Sequence, residues 1–160
     1  MRVHALLPLV LALVTGSCGP TVDLTKALQL EIVDTGWWDA GIVNGQNKLV
    51  PAARVTVRNN SDQKLMLLQI NSLFRQVNAA EEWGSAFITA AGSDGLAPGQ
   101  TKGPLLLRST NGYTGSDQTR QDMLKNSHFV DAKVQLFAKY GNVQWVRMGE
   151  YPIERKLLEK

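Results

Sequence analysis

The chain has 160 residues, 44% of them hydrophobic and 19% charged, and its 17 Lys and Arg against 14 Asp and Glu give a formal charge of +3. Acidic and basic residues are interspersed without a basic block, so the electrostatic footprint of a nucleic-acid binder is missing. Beyond the N-terminal segment no apolar run reaches the length of a transmembrane helix, and the remaining length suits one domain with a core of its own.

The first elements concern address. A short basic start, Met1-Arg2-Val3-His4, leads into an apolar run over 5–14 and then into Thr15, Gly16, Ser17 and Cys18. An apolar run of about ten residues suits a secretory signal and is too short to span a bilayer. Residues 1–17 are therefore expected to be a signal peptide. The segment Val14-Thr15-Gly16-Ser17-Cys18 resembles the bacterial lipobox, in which cleavage precedes a cysteine whose sulfur carries diacylglycerol. That resemblance implies lipidation of Cys18, a short tether over 18–25 and, with Gly19 following the cysteine, an outer-membrane anchor facing the periplasm. Cys18 is the only cysteine, so no internal disulfide is available to it. Several acyl chains on one residue hold a protein firmly, because each buried methylene contributes about 0.8 kcal/mol.

Residues 26–160 are expected to form the folded domain. Leu28, Leu30 and Ile32 alternate with Gln29, Glu31 and Val33, the period of a half-buried strand. Gly36-Trp37-Trp38-Asp39-Ala40-Gly41 reads as a long loop, and Asn44-Gly45 as a second turn. Ala53, Val55 and Val57 alternate with Arg54, Thr56 and Arg58, a second strand with a polar face that ends at the turn Asn59-Asn60-Ser61-Asp62. A third strand is expected over 64–77, with Met66, Leu68, Ile70 and Phe74 on one face, and a fourth over 83–91. A turn-rich loop over 92–100 precedes Leu105, Leu106 and Leu107, and a further loop covers 111–115. Thr119 and Asp122 have the spacing of a helix cap and predict two or three helical turns. Two last strands are expected, one around Val130, Ala132, Val134 and Leu136 and one over 143–148.

Seven short strands, one short helix and no strand–helix alternation predict an all-β, immunoglobulin-like antiparallel β-sandwich. The segments Val55-Thr56-Val57-Arg58-Asn59-Asn60-Ser61, Leu67-Leu68-Gln69-Ile70 and Leu96-Ala97-Pro98-Gly99-Gln100-Thr101 resemble bacterial immunoglobulin-like envelope modules of the FxLYD type. The resemblance spans the middle third of the chain. It implies a fold and carries no catalytic residues.

No catalytic signature is expected. Once residues 1–17 are removed His128 is the only histidine, and Asp131, three residues on in a strand, would face the opposite side. A zinc site of the usual Cys/His composition cannot be assembled, and neither metal nor cofactor is expected. Glu81-Glu82 reads as solvated surface, and Gly92, Gly95 and Gly99 lack the helix and Lys-Ser/Thr of a phosphate loop.

The aromatic residues beside loops are the candidate binding set: Trp37, Trp38, Asp39, Trp83 and Tyr113, with Asn44 and Asn111 nearby. Adjacent tryptophans in an extended segment cannot both face one core, so one should point outward or into a groove. The alternative is that both indoles plug the open end of the sandwich. Three functions follow as expectations. The first is a non-catalytic, lipid-anchored module for a protein partner in the envelope, using its loops or a free edge strand. The second is a small-ligand or glycan binder using Trp37 and Trp38. The third is a lipoprotein subunit of a secretion apparatus.

Overall fold

A computed structural model describes residues 22–159, so the expected signal peptide and the expected lipidation at Cys18 lie outside the described residues. The chain runs α1 (Leu24–Ala27), β1 (Leu28–Val43), β2 (Gln46–Asn59), β3 (Leu68–Gln76), β4 (Gly84–Ala91), β5 (Thr101–Arg108), β6 (Tyr113–Gly115), α2 (Arg120–Lys125), β7 (Ala132–Lys139) and β8 (Val146–Pro152). It is an all-β antiparallel sandwich. One sheet has the order β1-β2-β5, with β6 pairing β2 beyond the end of β5; the other has the order β4-β3-β7-β8. Among the described residues no helix is long and apolar enough to cross a membrane.

The β1–β2 hairpin organises the first sheet. Val43 pairs with Gln46 across Asn44-Gly45, and both turn residues have left-handed φ, 52° and 77°. A two-residue turn of that conformation matches the twist of the strands it joins, which is why Asn-Gly occupies it. In β2 the expected alternation holds: Ala53, Val55 and Val57 are buried while Arg54, Thr56 and Arg58 face out. Asp34 pairs with Arg54 on that outer face, its Oδ2 2.6 Å from Nη2.

In β1 the register shifts between Ile32 and Asp34, leaving Val33 as an extra residue that is 52% exposed. A bulge of this kind reverses which residues face inward, because side chains alternate with period two. Before it Leu28, Leu30 and Ile32 pack on the core; after it Thr35 and Trp37 do. The segment expected as a loop, 36–41, is instead part of the second half of β1, with Gly36 to Asp39 paired with Ala52 to Leu49 and a register shift following at Ala40-Gly41. The two tryptophans there gain ladder bonds from the long hairpin.

Other expectations need correction. The strand expected from residue 64 begins at Leu68, and Met66 is 46% exposed because Leu67 takes a left-handed φ of 51° that breaks the alternation. Leu68, Ile70 and Phe74 do face the core. Residues 113–115 form β6 rather than loop, giving eight strands among the described residues rather than seven. The last strand lies later than expected, at Val146–Pro152. Thr119 caps α2 as its spacing suggested, accepting from the Asp122 N–H at 3.1 Å, but α2 is a six-residue helix, shorter than two full turns. A second helix, α1, occupies part of the expected tether. Asp23 caps it, Leu24 is buried in the core, and the Val22 N–H donates to the Tyr140 hydroxyl at 2.8 Å. Residues 22–25 thus belong to the folded body.

Two further links position the ends. Asn59, wholly buried, donates through Nδ2 to the carbonyls of Gln63 and Leu96 and accepts through Oδ1 from Ser61. This ties the end of β2 to the Leu96–Thr101 turn, where Gly99 N–H also donates to the Asn59 carbonyl. The C-terminal tail closes the free edge of β1: Trp37 N–H donates to the Lys156 carbonyl at 2.8 Å, and Leu158 N–H donates to the Trp37 carbonyl at 2.9 Å.

Candidate functional site

The expected aromatic set divides in two. Trp37 is 0% exposed and sits among three rings. Its centroid lies 4.4 Å from Phe129, 5.9 Å from Tyr113 and 6.0 Å from Trp83, with edge-on or tilted planes. Tyr113 stacks on Phe129 at 4.5 Å and meets Trp83 edge-on at 5.3 Å. Edge-to-face and offset contacts at these separations are the favourable ones for aromatic rings. Trp37 is therefore a packing residue at one end of the core, and Trp83 and Tyr113 are half-buried side chains packed against it. Phe129 completes the group and was not singled out from sequence, since nothing local marks it as a partner of Trp37.

Polar groups around this cluster also hold structure. The Tyr113 hydroxyl accepts from the Val130 N–H at 2.8 Å. Asn111 Nδ2 donates to the Trp83 carbonyl at 2.7 Å, and Arg155 covers Phe129 with its guanidinium carbon 5.3 Å from the ring centroid. Arg155 also bonds Asp131 at 2.6 Å, and that hydrogen bond raises the Arg155 pKa above its usual value. Asp39 accepts from the Gly41 N–H at 2.8 Å and pairs with Arg120 at 3.1 Å. Asn44 serves the hairpin turn through its backbone.

Trp38 takes the other side of the sheet. It pairs with Val50, is half-buried, and lies under Arg108, whose guanidinium carbon is 5.2 Å from its ring centroid. Together with Ala40, Lys48, Val50, Ser109 and Thr110 it lines a groove of about 320 Å³.

The outer face of the second sheet carries a further set of aromatics. Asn71 pairs with Phe87 on one side and Phe137 on the other, while Ile70, Ser72 and Phe74 point inward. Phe87 is 56% exposed and Trp145 38%, and their rings meet edge-on with centroids 6.1 Å apart. Lys139 lies over the Trp145 ring at 5.1 Å. Phe87 on β4 and Phe137 on β7 follow ordinary strand alternation and Trp145 lies in the loop before β8, so only the outward face of the finished sheet sets them apart.

The titratable candidates are dispersed. His128 is exposed in a turn rather than on a strand, with its N–H bonded to Asn126 Oδ1. Glu81 and Glu82 are exposed. Among the described residues no group of three His, Cys, Asp or Glu side chains could hold a metal ion. The chain matches no family model and no curated protein.

Proposed function

We propose that this is a non-catalytic interaction module, tethered by lipid on Cys18 to the outer membrane and facing the periplasm, that docks on a protein partner of the cell envelope. The observation that carries the docking reading is the exposed Phe87–Trp145 pair on an open sheet face. An aromatic contact held outside the core leaves ring surface open to solvent, and such rigid side chains supply much of the energy of protein interfaces. The outward positions around them hold Arg75, Lys133, Lys139 and Arg147 against Glu150. The complementary surface is therefore apolar at its centre and acidic at its rim. The anchoring half of the proposal rests on the run from Arg2 to Cys18.

The test compares the full-length chain with a Phe87→Ser, Trp145→Ser double variant, each purified from detergent-solubilised membranes. A stoichiometric partner should accompany the wild type, dissociate as salt is raised, and be lost from the variant while its melting temperature is unchanged. Recovery of the same partner by the double variant would sink this docking face. In parallel, Cys18→Ser should release the protein from membranes; unchanged membrane association would remove the anchor from the proposal.

A further inference from the structure

The groove at Trp38 lies on the first sheet, on the opposite side of the sandwich from the Phe87–Trp145 face, and its chemistry differs. Two cations, Arg108 and Lys48, line it, and among the described residues no carboxylate pairs with either. Lys48 Nζ is held at 3.2 Å by the Thr110 carbonyl. Arg108, on an exposed position at the end of β5, rests over the Trp38 indole. The other arginine on this outer face near the groove, Arg54, is already neutralised by Asp34.

Stacking on an indole restrains a guanidinium while leaving its N–H edge free, and that edge matches the two oxygens of an oxyanion. Lys48 supplies a second positive charge to the same space. The remaining walls are apolar surface from Trp38, Ala40 and Val50, with the Thr110 carbonyl beside Lys48 as a polar edge. At about 320 Å³ the groove is at the small end of ligand sites, room for a single ring-sized group.

We infer that this groove binds an acidic sugar residue of the uronic acid class. The carboxylate takes the Arg108 fork with Lys48 beside it, an apolar C–H face of the ring lies along the open part of Trp38, and a ring hydroxyl donates to the Thr110 carbonyl. A bare anion would use the cations and leave the aromatic wall unused. A neutral sugar would leave both cations unpaired.

The probe is D-glucuronate, titrated at constant pH and ionic strength while ¹H–¹⁵N spectra follow the Trp38 Nε1–H and Arg108 Nε–H resonances. Both should shift saturably. D-Glucose and inorganic phosphate should each bind at least about tenfold more weakly, as should D-glucuronate to Arg108→Gln or Trp38→Ala. Arg108→Lys, which keeps the charge without the fork, should fall between wild type and Arg108→Gln. The exposed position of Arg108 makes its variants the folding-safe arm, checked by unchanged resonances elsewhere in the domain. Absence of a saturable shift with D-glucuronate overturns the inference. So does equal binding of glucose or phosphate, or undiminished binding by Arg108→Gln.

Discussion

Trp37 and Trp38 are neighbours in sequence and lie on opposite faces of one sheet. Trp37 is sealed among Trp83, Tyr113 and Phe129, while Trp38 lies outside under Arg108. The two indoles should therefore respond very differently to removal. Trp37→Ala should cost about 3–5 kcal/mol, since it empties a fully enclosed site and strips three ring contacts. Trp38→Ala should cost about 0.5–1 kcal/mol, the scale of an exposed cation–π contact. Urea unfolding of the two variants separates them, and equal losses would contradict the assignment of faces.

The C-terminal tail acts as an edge cover. Leu158 is buried, and its side chain lies against Gly36, where a Cβ would stand 3.0 Å from Leu158 Cδ2. Leu158→Ala should destabilise the domain by about 2–4 kcal/mol. Deleting residues 155–160 should also free the Trp37 N–H and carbonyl on the outer edge of β1, a template for strand pairing between molecules. Hydrogen exchange at the Trp37 amide should accelerate, and size-exclusion chromatography should show self-association. A truncated chain that stays monomeric, with its Trp37 amide still protected, would show that the tail does not cover this edge.

Gly112 is required by close approach rather than by conformation. A Cβ there would lie 2.0 Å from the Leu49 carbonyl oxygen and 2.8 Å from Val50 Cα, both backbone atoms of β2. Relief needs β6 to move off β2, so Gly112→Ala should cost about 3 kcal/mol, the upper end of overpacking effects. It should also loosen Tyr113 from the aromatic cluster. Gly45→Ala at the hairpin tip meets no such atoms and is opposed only by its φ of 77°. Thermal melts of the pair would rank them, with Gly112→Ala the lower.

Glu150 supplies a pH-dependent contribution. A hydrogen bond from Gln135 at 2.6 Å, followed by Lys133 and Arg147, holds its carboxyl below the usual carboxylate pKa. With the folded pKa depressed, the unfolded chain binds the proton more readily. The stabilisation is therefore present above the unfolded value and lost as pH falls through the folded one. Glu150→Gln should lower the melting temperature modestly near neutral pH, and the difference should close in strongly acidic solution. A gap that widened on acidification would reverse the sign assigned to this group.

Much of the sandwich was legible from local pattern. The alternation of Ala53, Val55 and Val57 with Arg54, Thr56 and Arg58, the Asn44-Gly45 turn and the Thr119 cap are each written in adjacent residues, because strand period, left-handed φ and capping act over a few positions. The all-β class followed from them. The aromatic residues were legible as unusual but not as a site. The side that Trp37 faces depends on the extra residue Val33, and a bulge is set by pairing with Val55 and Arg54, far along the chain. Trp83, Tyr113 and Phe129 gather on Trp37 from three separate segments, and Lys156 and Leu158 reach it from the tail. The openness of Phe87 and Trp145 and the meeting of Arg108 with Trp38 are likewise properties of finished sheets. Sequence by itself determined the all-β class, the alternation of 53–58 and the Asn44-Gly45 turn; the tertiary structure decided that 36–41 and 113–115 are strand, and which aromatic rings are spent on the core and which stay exposed, because pairing and burial depend on contacts between residues that no local pattern brings together.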